Sequence, residues 1–200
     1  MQTVAINAQA RPELGKKATK SYRNQGLIPC VMYGNGKAKH FATTLNEVKN
    51  AIYTPDFKLI EITLEGELHQ CIIKEVQYHP TKDNILHIDF LQLIEGNPVK
   101  LEVPLRFFGN SPGLKAGGKL VQSIRRVKIK TLPSNIVDEL RLDISSLELG
   151  QSIRVRDIKV DENIEILIPG GTPVALIEIP RALRAAAAAA AAATTKKGKK

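Results

Sequence analysis

Arg11, Lys16, Lys17, Lys20 and Arg23 place five cations within thirteen residues, opposed only by Glu13. Cations spread over a loop and one helix face can reach successive phosphates of a polyanion. Arg adds a planar fork that hydrogen-bonds two phosphate oxygens or stacks on a base, which Lys cannot do. The same pattern also describes an ordinary solvated helix, so its meaning depends on the rest of the chain. A second candidate is His87-Ile88-Asp89-Phe90. On a strand, Leu86, Ile88 and Phe90 face the core while His87 and Asp89 project together from the other face. An imidazole and a carboxylate side by side can accept from an exocyclic amine or a ribose 2′-hydroxyl, although a plain polar strand face has the same alternation. Tyr33, at a strand end beside Gly34, offers a ring for stacking on a base or for packing the strand end.

His79, His87 and Asp89 together could bind a divalent metal or centre a hydrolase. No helical H-x-x-x-H pair, phosphate-cradling glycine loop or nucleophile elbow accompanies them, so neither a metal nor a catalytic role is expected. The glycines at 113, 117 and 118 read as turns. Cys30 and Cys71 stand singly in apolar segments without C-x-x-C spacing and read as buried, reduced thiols.

The elements that must position these residues follow from pattern and composition. The 200 residues suit two domains. Trp is absent and Phe and Tyr number five and four, so Ile, Val and Leu must supply the core. Residues 1–40 hold seven Lys/Arg against one acid, and residues 181–200 hold six against none, so the net charge of +9 resides at the two ends. Such basic zones concentrate polyanions, nucleic acid foremost. No apolar run reaches the roughly 18 residues of a membrane span and the start lacks a leader pattern, so a cytosolic protein without membrane contact is expected.

Val4 and Ile6 alternate as in a short strand, and Ala8 to Gly15 reads as a loop. Lys16 to Gln25 reads as a basic helix closed by Gly26. Ile28 to Tyr33 reads as a strand ending in the Gly34-Asn35-Gly36 turn. Thr44 and Glu47 have capping-box spacing ahead of Leu45, Val48 and Ile52, predicting a helix that stops before Pro55. Strands follow at Phe57–Leu64, Leu68–Tyr78 and Asn84–Leu93, the first two joined by Glu65-Gly66-Glu67. Beyond Glu95-Gly96-Asn97-Pro98 helical periodicity disappears. Val99, Leu101, Val103, Leu105 and Phe107 alternate, as do Leu140, Leu142 and Ile144. Short apolar runs recur at Ser152–Val155, Asn163–Ile168 and Val174–Ile179. The expectation is a mainly β chain with some α: an α+β domain over 1–95, an all-β domain over 96–181, and a low-complexity Ala/Lys tail over 182–200.

Arg11-Pro-Glu-Leu-Gly-Lys-Lys-Ala-Thr-Lys20, Gly26-Leu-Ile-Pro-Cys-Val-Met-Tyr-Gly34, Val76-Gln-Tyr-His-Pro80 and His87-Ile-Asp-Phe90 closely resemble the large-subunit ribosomal protein twenty-five family. Val103-Pro-Leu-Arg-Phe-Phe-Gly109 and Ala116-Gly-Gly-Lys-Leu120 look like its longer, two-domain branch, the general stress protein Ctc type. The resemblance spans about residues 3 to 180 of the chain. It implies an N-terminal domain with a small β-barrel core that binds 5S ribosomal RNA, followed by a β-rich domain. That second domain would touch 23S RNA or neighbouring ribosomal proteins. It also implies RNA contacts at Arg11, Lys16, Thr19, Lys20, Arg23, Tyr33, His87 and Asp89, with Gln77 and His79. Ser21 stands where many relatives carry a second consecutive Arg, so one phosphate contact is expected to be either lost or taken over by Lys17. No cofactor is implied.

Ordinary A-form RNA hides its base edges in a deep, narrow groove, so His87, Asp89 and Tyr33 are expected to read a distorted, widened element. A rival reading is a free tRNA-binding module, because the anticodon-binding β-barrels of glutaminyl-tRNA synthetase resemble this fold. A hydrolase centred on His79, His87 and Asp89 is the alternative from another class.

Overall fold

Six strands close the N-terminal barrel: β1 (Thr3–Ala10), β2 (Leu27–Tyr33), β3 (Lys39–Thr44), β4 (Leu59–Leu64), β5 (Glu67–Tyr78) and β6 (Ile85–Gln92). The computed structural model describes residues 2–34, 36, 38–161 and 163–181. The barrel order is β1-β3-β2-β6-β5-β4, and β1 closes it by running parallel to β4 from Thr3↔Leu59 to Ala8↔Leu64. Closure leaves no unpaired strand edge in the barrel. Alternate residues point inward, so Ile6, Ile60, Ile62, Ile88, Phe41 and Phe90 are wholly buried. The Phe41 and Phe90 ring centroids lie 5.6 Å apart.

Two helices decorate the barrel. α1 (Lys16–Asn24) ends at Gly26, whose φ of 78° is the left-handed geometry that stops a helix. α2 (Leu45–Ile52) buries Val48. The expected capping box does not form: Thr44 makes no side-chain cap, and it is the Thr43 hydroxyl that donates to Glu47 Oε2 at 2.6 Å. Leu45 is exposed rather than part of the apolar stripe. The Glu65-Gly66 turn joining β4 to β5 has positive φ at both residues, 54° and 86°, as a tight two-residue hairpin requires.

Three sequence expectations need correction here. Ala8 to Ala10 continue β1 instead of forming a loop, because Gln9 and Ala10 pair with Ala42 and Phe41. β3 has no counterpart among the expected strands, since KHFATT lacks alternation. It forms because β1 and β2 supply hydrogen-bonding neighbours on both sides. Leu86 is only half-buried, and Ile85 takes the core position. The cause is a bulge between Gln77 and Tyr78, which shifts the pairing from Gln77↔His87 to Tyr78↔Ile85.

Cys30 and Cys71 are both free and buried inside the barrel. Burial pushes the Cys30 thiol far up and raises Cys71 to about 12. Neither forms a reactive thiolate at neutral pH. The folded protein is therefore expected to resist a thiol-specific reagent at neutral pH and to label at both cysteines once denatured. Rapid labelling under native conditions would contradict the buried placement.

The second half is built from β7 (Val99–Phe108), β8 (Lys119–Gln122), β9 (Arg126–Thr131), β10 (Leu140–Asp143), β11 (Ser152–Arg154), β12 (Glu165–Ile166) and β13 (Pro173–Glu178). They form a four-stranded sheet ordered β10-β7-β9-β12 and a three-stranded sheet ordered β11-β13-β8. A four-residue helix α3 (Pro112–Lys115) interrupts the all-β pattern expected from sequence. Ser111 nucleates it: its Oγ accepts from Gly113 N and Leu114 N and donates to Leu147 O at 2.5 Å. The chain forms two compact units. One holds residues through Pro104 with Lys128–Glu139 and 163–165, the other Leu105–Val127, Leu140–Asp161 and residues from Ile166 on. Asn35 and the Ala/Lys tail of 182–200 lie outside the described residues.

Candidate nucleic-acid interface

β6 carries His87 and Asp89 on the outer face of the barrel, between β2 and β5. Asp89 stands opposite Val31 on one side and Glu75 on the other, and His87 stands opposite Gln77. His87 Nδ1 lies 2.6 Å from Asp89 Oδ1, with both side chains about a quarter exposed, at 22% and 27%. A carboxylate only accepts, so the imidazole proton resides on Nδ1. In the neutral ring, Nε2 then keeps its lone pair, and Asp89 keeps its second oxygen. The pair is therefore preset as an acceptor array for amine or 2′-hydroxyl protons.

Tyr33 ends β2 next to this pair, opposite Leu91. Burial first, then the Asp89 and Glu75 carboxylates, push its phenol up, so it stays a neutral donor with an apolar ring. Glu75 does not stand out in the sequence. It lies two residues before Gln77 on β5, so strand alternation puts both on the same face. It adds a carboxylate beside Asp89 that phosphate would avoid and amines would favour.

α1 supplies the phosphate-binding half. Lys16, Lys17, Lys20 and Arg23 are all exposed. At about 100° per residue, Lys16, Lys20 and Arg23 fall within roughly 60° of one another. The first turn contains no acid. Two lysines there oppose the positive end of the helix dipole, at a cost of about 0.3–1 kcal/mol each. Lys16→Glu with Lys17→Glu is accordingly expected to raise the unfolding free energy of the free protein by about 1 kcal/mol, read by denaturant titration. Destabilisation by the same pair would show that these lysines hold the helix in place.

Arg23 Nε and Nη2 both donate to Leu86 O, at 3.0 and 2.9 Å. One side chain thus fastens the cationic helix to the strand that carries His87. Arg11 is turned inward, only 8% exposed. Its Nη1 donates to Thr19 Oγ1 at 3.4 Å, and its guanidinium lies 5.8 Å from the Tyr22 ring centroid. The Thr19 hydroxyl in turn donates to Gly15 O at 2.8 Å. Arg11 and Thr19 therefore position α1 from beneath, while the lysines face solvent. Ser21 lies about 40° round the helix from Lys17. It lines a groove on the opposite face of α1 with Pro12, Ala18 and Gln25.

Gln77 is exposed and aligned with His87. His79 is engaged in its own turn, where its Nδ1 faces Thr81 N and Oγ1 at 3.3 and 3.2 Å. Among the described residues no group of three or more His, Cys, Asp or Glu side chains could hold a metal. No described helix is long and apolar enough to cross a membrane.

Comparison with known proteins adds to this geometry. The model of the Ribosomal L25p family matches residues 6–90, and that of the ribosomal protein TL5 C-terminal domain matches residues 98–181. The chain is 40% identical over 185 residues to the large ribosomal subunit protein bL25 of Amoebophilus asiaticus, covering 92% of this chain and 94% of that one. It is 40% identical over 188 residues to the bL25 protein of Porphyromonas gingivalis, covering 93% and 97%. It is also 40% identical over 184 residues to that of Cytophaga hutchinsonii, covering 92% and 95%.

Proposed function

The chain belongs to the Ribosomal L25p family, and from that premise we propose that this large-subunit ribosomal protein binds 5S ribosomal RNA through its N-terminal barrel. The observation that carries the reading is the Arg23 link to Leu86 O. It fastens the helix that carries the exposed lysines to the strand that carries His87 and Asp89. Lys16, Lys17, Lys20 and Arg23 hold phosphates. Tyr33, Gln77, His87 and Asp89 meet sugars and base edges, and Arg11 and Thr19 hold the helix at the right height. His79 braces the turn that follows Gln77. Phosphate contacts supply affinity and set the register, whereas the acceptor array supplies discrimination.

The domain division follows the same reading. An RNA-binding domain over 1–95 and a β-rich domain over 96–181 are supported by family matches that stop at residue 90 and resume at 98. The second domain makes the contact with the rest of the subunit, and the protein works in the cytoplasm as part of the ribosome. It is a structural component and not an enzyme.

An acceptor array needs exposed donors, so an internal loop that widens the groove is preferred over plain duplex. The test is His87→Ala and Asp89→Asn binding to 5S RNA and to a plain duplex of equal length. Both variants are expected to lose roughly 1–3 kcal/mol of preference for 5S RNA while keeping the salt dependence. Unchanged preference in both would remove the reading role. Equal or tighter binding of wild type to tRNA would favour the free tRNA-binding alternative.

A further inference from the structure

His40 stands on β3, the strand that local sequence pattern does not announce. Phe41 points into the barrel core, so alternation turns its neighbour His40 to the outer surface. Arg11 N donates to His40 O at 3.0 Å, which carries the register one step past Ala10↔Phe41 and sets Arg11 opposite His40. On its other side His40 pairs with Val31, and Val31 pairs with Asp89. One outer row therefore runs from Arg11, which supports α1, through His40 and Val31 to Asp89. At about 4.8 Å per strand, His40 and Asp89 stand roughly 10 Å apart along this row, too far to share one base edge.

The His40 side chain is half-buried, and its Nδ1 is buried without a hydrogen-bond partner among the described residues. Arg11 Nε, from the facing strand position, is buried without a partner as well. Unpaired buried nitrogens cost stability, and a β-branched side chain would suit this strand position better. Packing therefore gives no reason for an imidazole here. A neutral imidazole has one N–H and one lone pair. On Nδ1 the proton would be a buried donor without an acceptor, facing the position of the Arg11 cation. Nε2 bonds to no described residue and lies at the surface, where water satisfies a proton. His40 thus presents an N–H outward. His87 is set the other way: its Nδ1 proton is held by Asp89 at 2.6 Å, which leaves its Nε2 as an acceptor.

We infer that His40 is a specificity-determining contact that donates from Nε2 to an acceptor on a base of 5S RNA, next to the groups met by His87 and Asp89. The inference rests on the barrel reading proposed above and adds a donor to its acceptor array. Binding of 5S RNA and of a plain duplex of equal length by the full chain tests it, for wild type, His40→Phe, His40→Gln and His87→Ala. Phe keeps a ring of similar size and removes the donor, whereas Gln restores an N–H at similar reach. His40→Phe is expected to reduce the preference for 5S RNA by about two- to tenfold, with the salt slope unchanged and resistance to denaturant at least that of wild type. His40→Gln is expected to recover most of the preference. Nitrogen NMR of the wild-type imidazole should show the proton on Nε2 and a shift of that resonance when 5S RNA is added, a readout that stands should the Phe variant unfold. Unchanged preference in folded His40→Phe, while His87→Ala loses it, would overturn the inference and leave the barrel reading standing. A proton on Nδ1, or equal loss of affinity for both RNAs, would also overturn it. Absence of any 5S RNA preference in wild type would overturn the barrel reading and this inference together.

Discussion

Replacing Lys16, Lys17 and Lys20 together by alanine lowers the salt slope of 5S RNA binding by about 2 to 3, at roughly 0.7–0.9 for each phosphate no longer neutralised. Between about 50 and 200 mM salt that change alone amounts to roughly 20- to 40-fold in affinity. The effect is large because all three ammonium groups are exposed on one short helix, and Arg23 anchors that helix to the reading face. It is also separable from folding, since removing cations from the first helical turn relieves an unfavourable dipole interaction. Native-like unfolding together with weakened, less salt-sensitive RNA binding is the expected pair of results. A triple variant that binds as tightly as wild type at every salt concentration would place the phosphate contacts elsewhere.

Phe90→Ala has the largest expected effect on stability, about 3–5 kcal/mol by denaturant unfolding. Its side chain is wholly buried at the barrel centre against Phe41. The chain has no Trp, and the surrounding core is mainly Ile, Val and Leu, so no neighbour can fill the space. Strands closed on all sides relax little around a cavity. Against the total of roughly 5–15 kcal/mol typical of a domain, such a loss leaves the barrel marginal. RNA binding then weakens as well, because only the folded form presents the surface. A loss below about 1 kcal/mol would mean that the barrel repacks freely, contrary to a close-packed interior.

The sequence was most legible where a local pattern has a single geometric meaning. The KKATKSYRNQ run closed by Gly26 becomes α1 to within one residue, because the cationic spacing and the glycine stop are both local signals. The Glu65-Gly66 hairpin turn and the adjacency of His87 and Asp89 were equally visible. β3 was not, because KHFATT becomes a strand only through its partners β1 and β2. The Leu86 placement failed for a related reason: a bulge changes which residues face inward, and no alternation rule contains that information. Arg11 shows the same limit at the site. Its type suggested phosphate, yet tertiary packing placed it under Tyr22 and Thr19 as a support for α1. Glu75 was readable in principle from its spacing to Gln77, but its importance depends on standing opposite Asp89.

These failures share one cause. Charge and helix capping act over three or four residues, whereas burial, register and closure depend on strands dozens of residues apart. The exposed cations could be found from composition, while the supporting roles of Arg11, Thr19 and Arg23 could only be found from the fold.

The most direct test of the central claim is a salt titration of the full chain on isolated 5S RNA, with tRNA and a plain duplex of equal length as competitors. Preferential binding to 5S RNA, with a preference that His87→Ala reduces, is the predicted result. Indistinguishable affinity for all three RNAs would leave a basic surface without selectivity and contradict the proposed role.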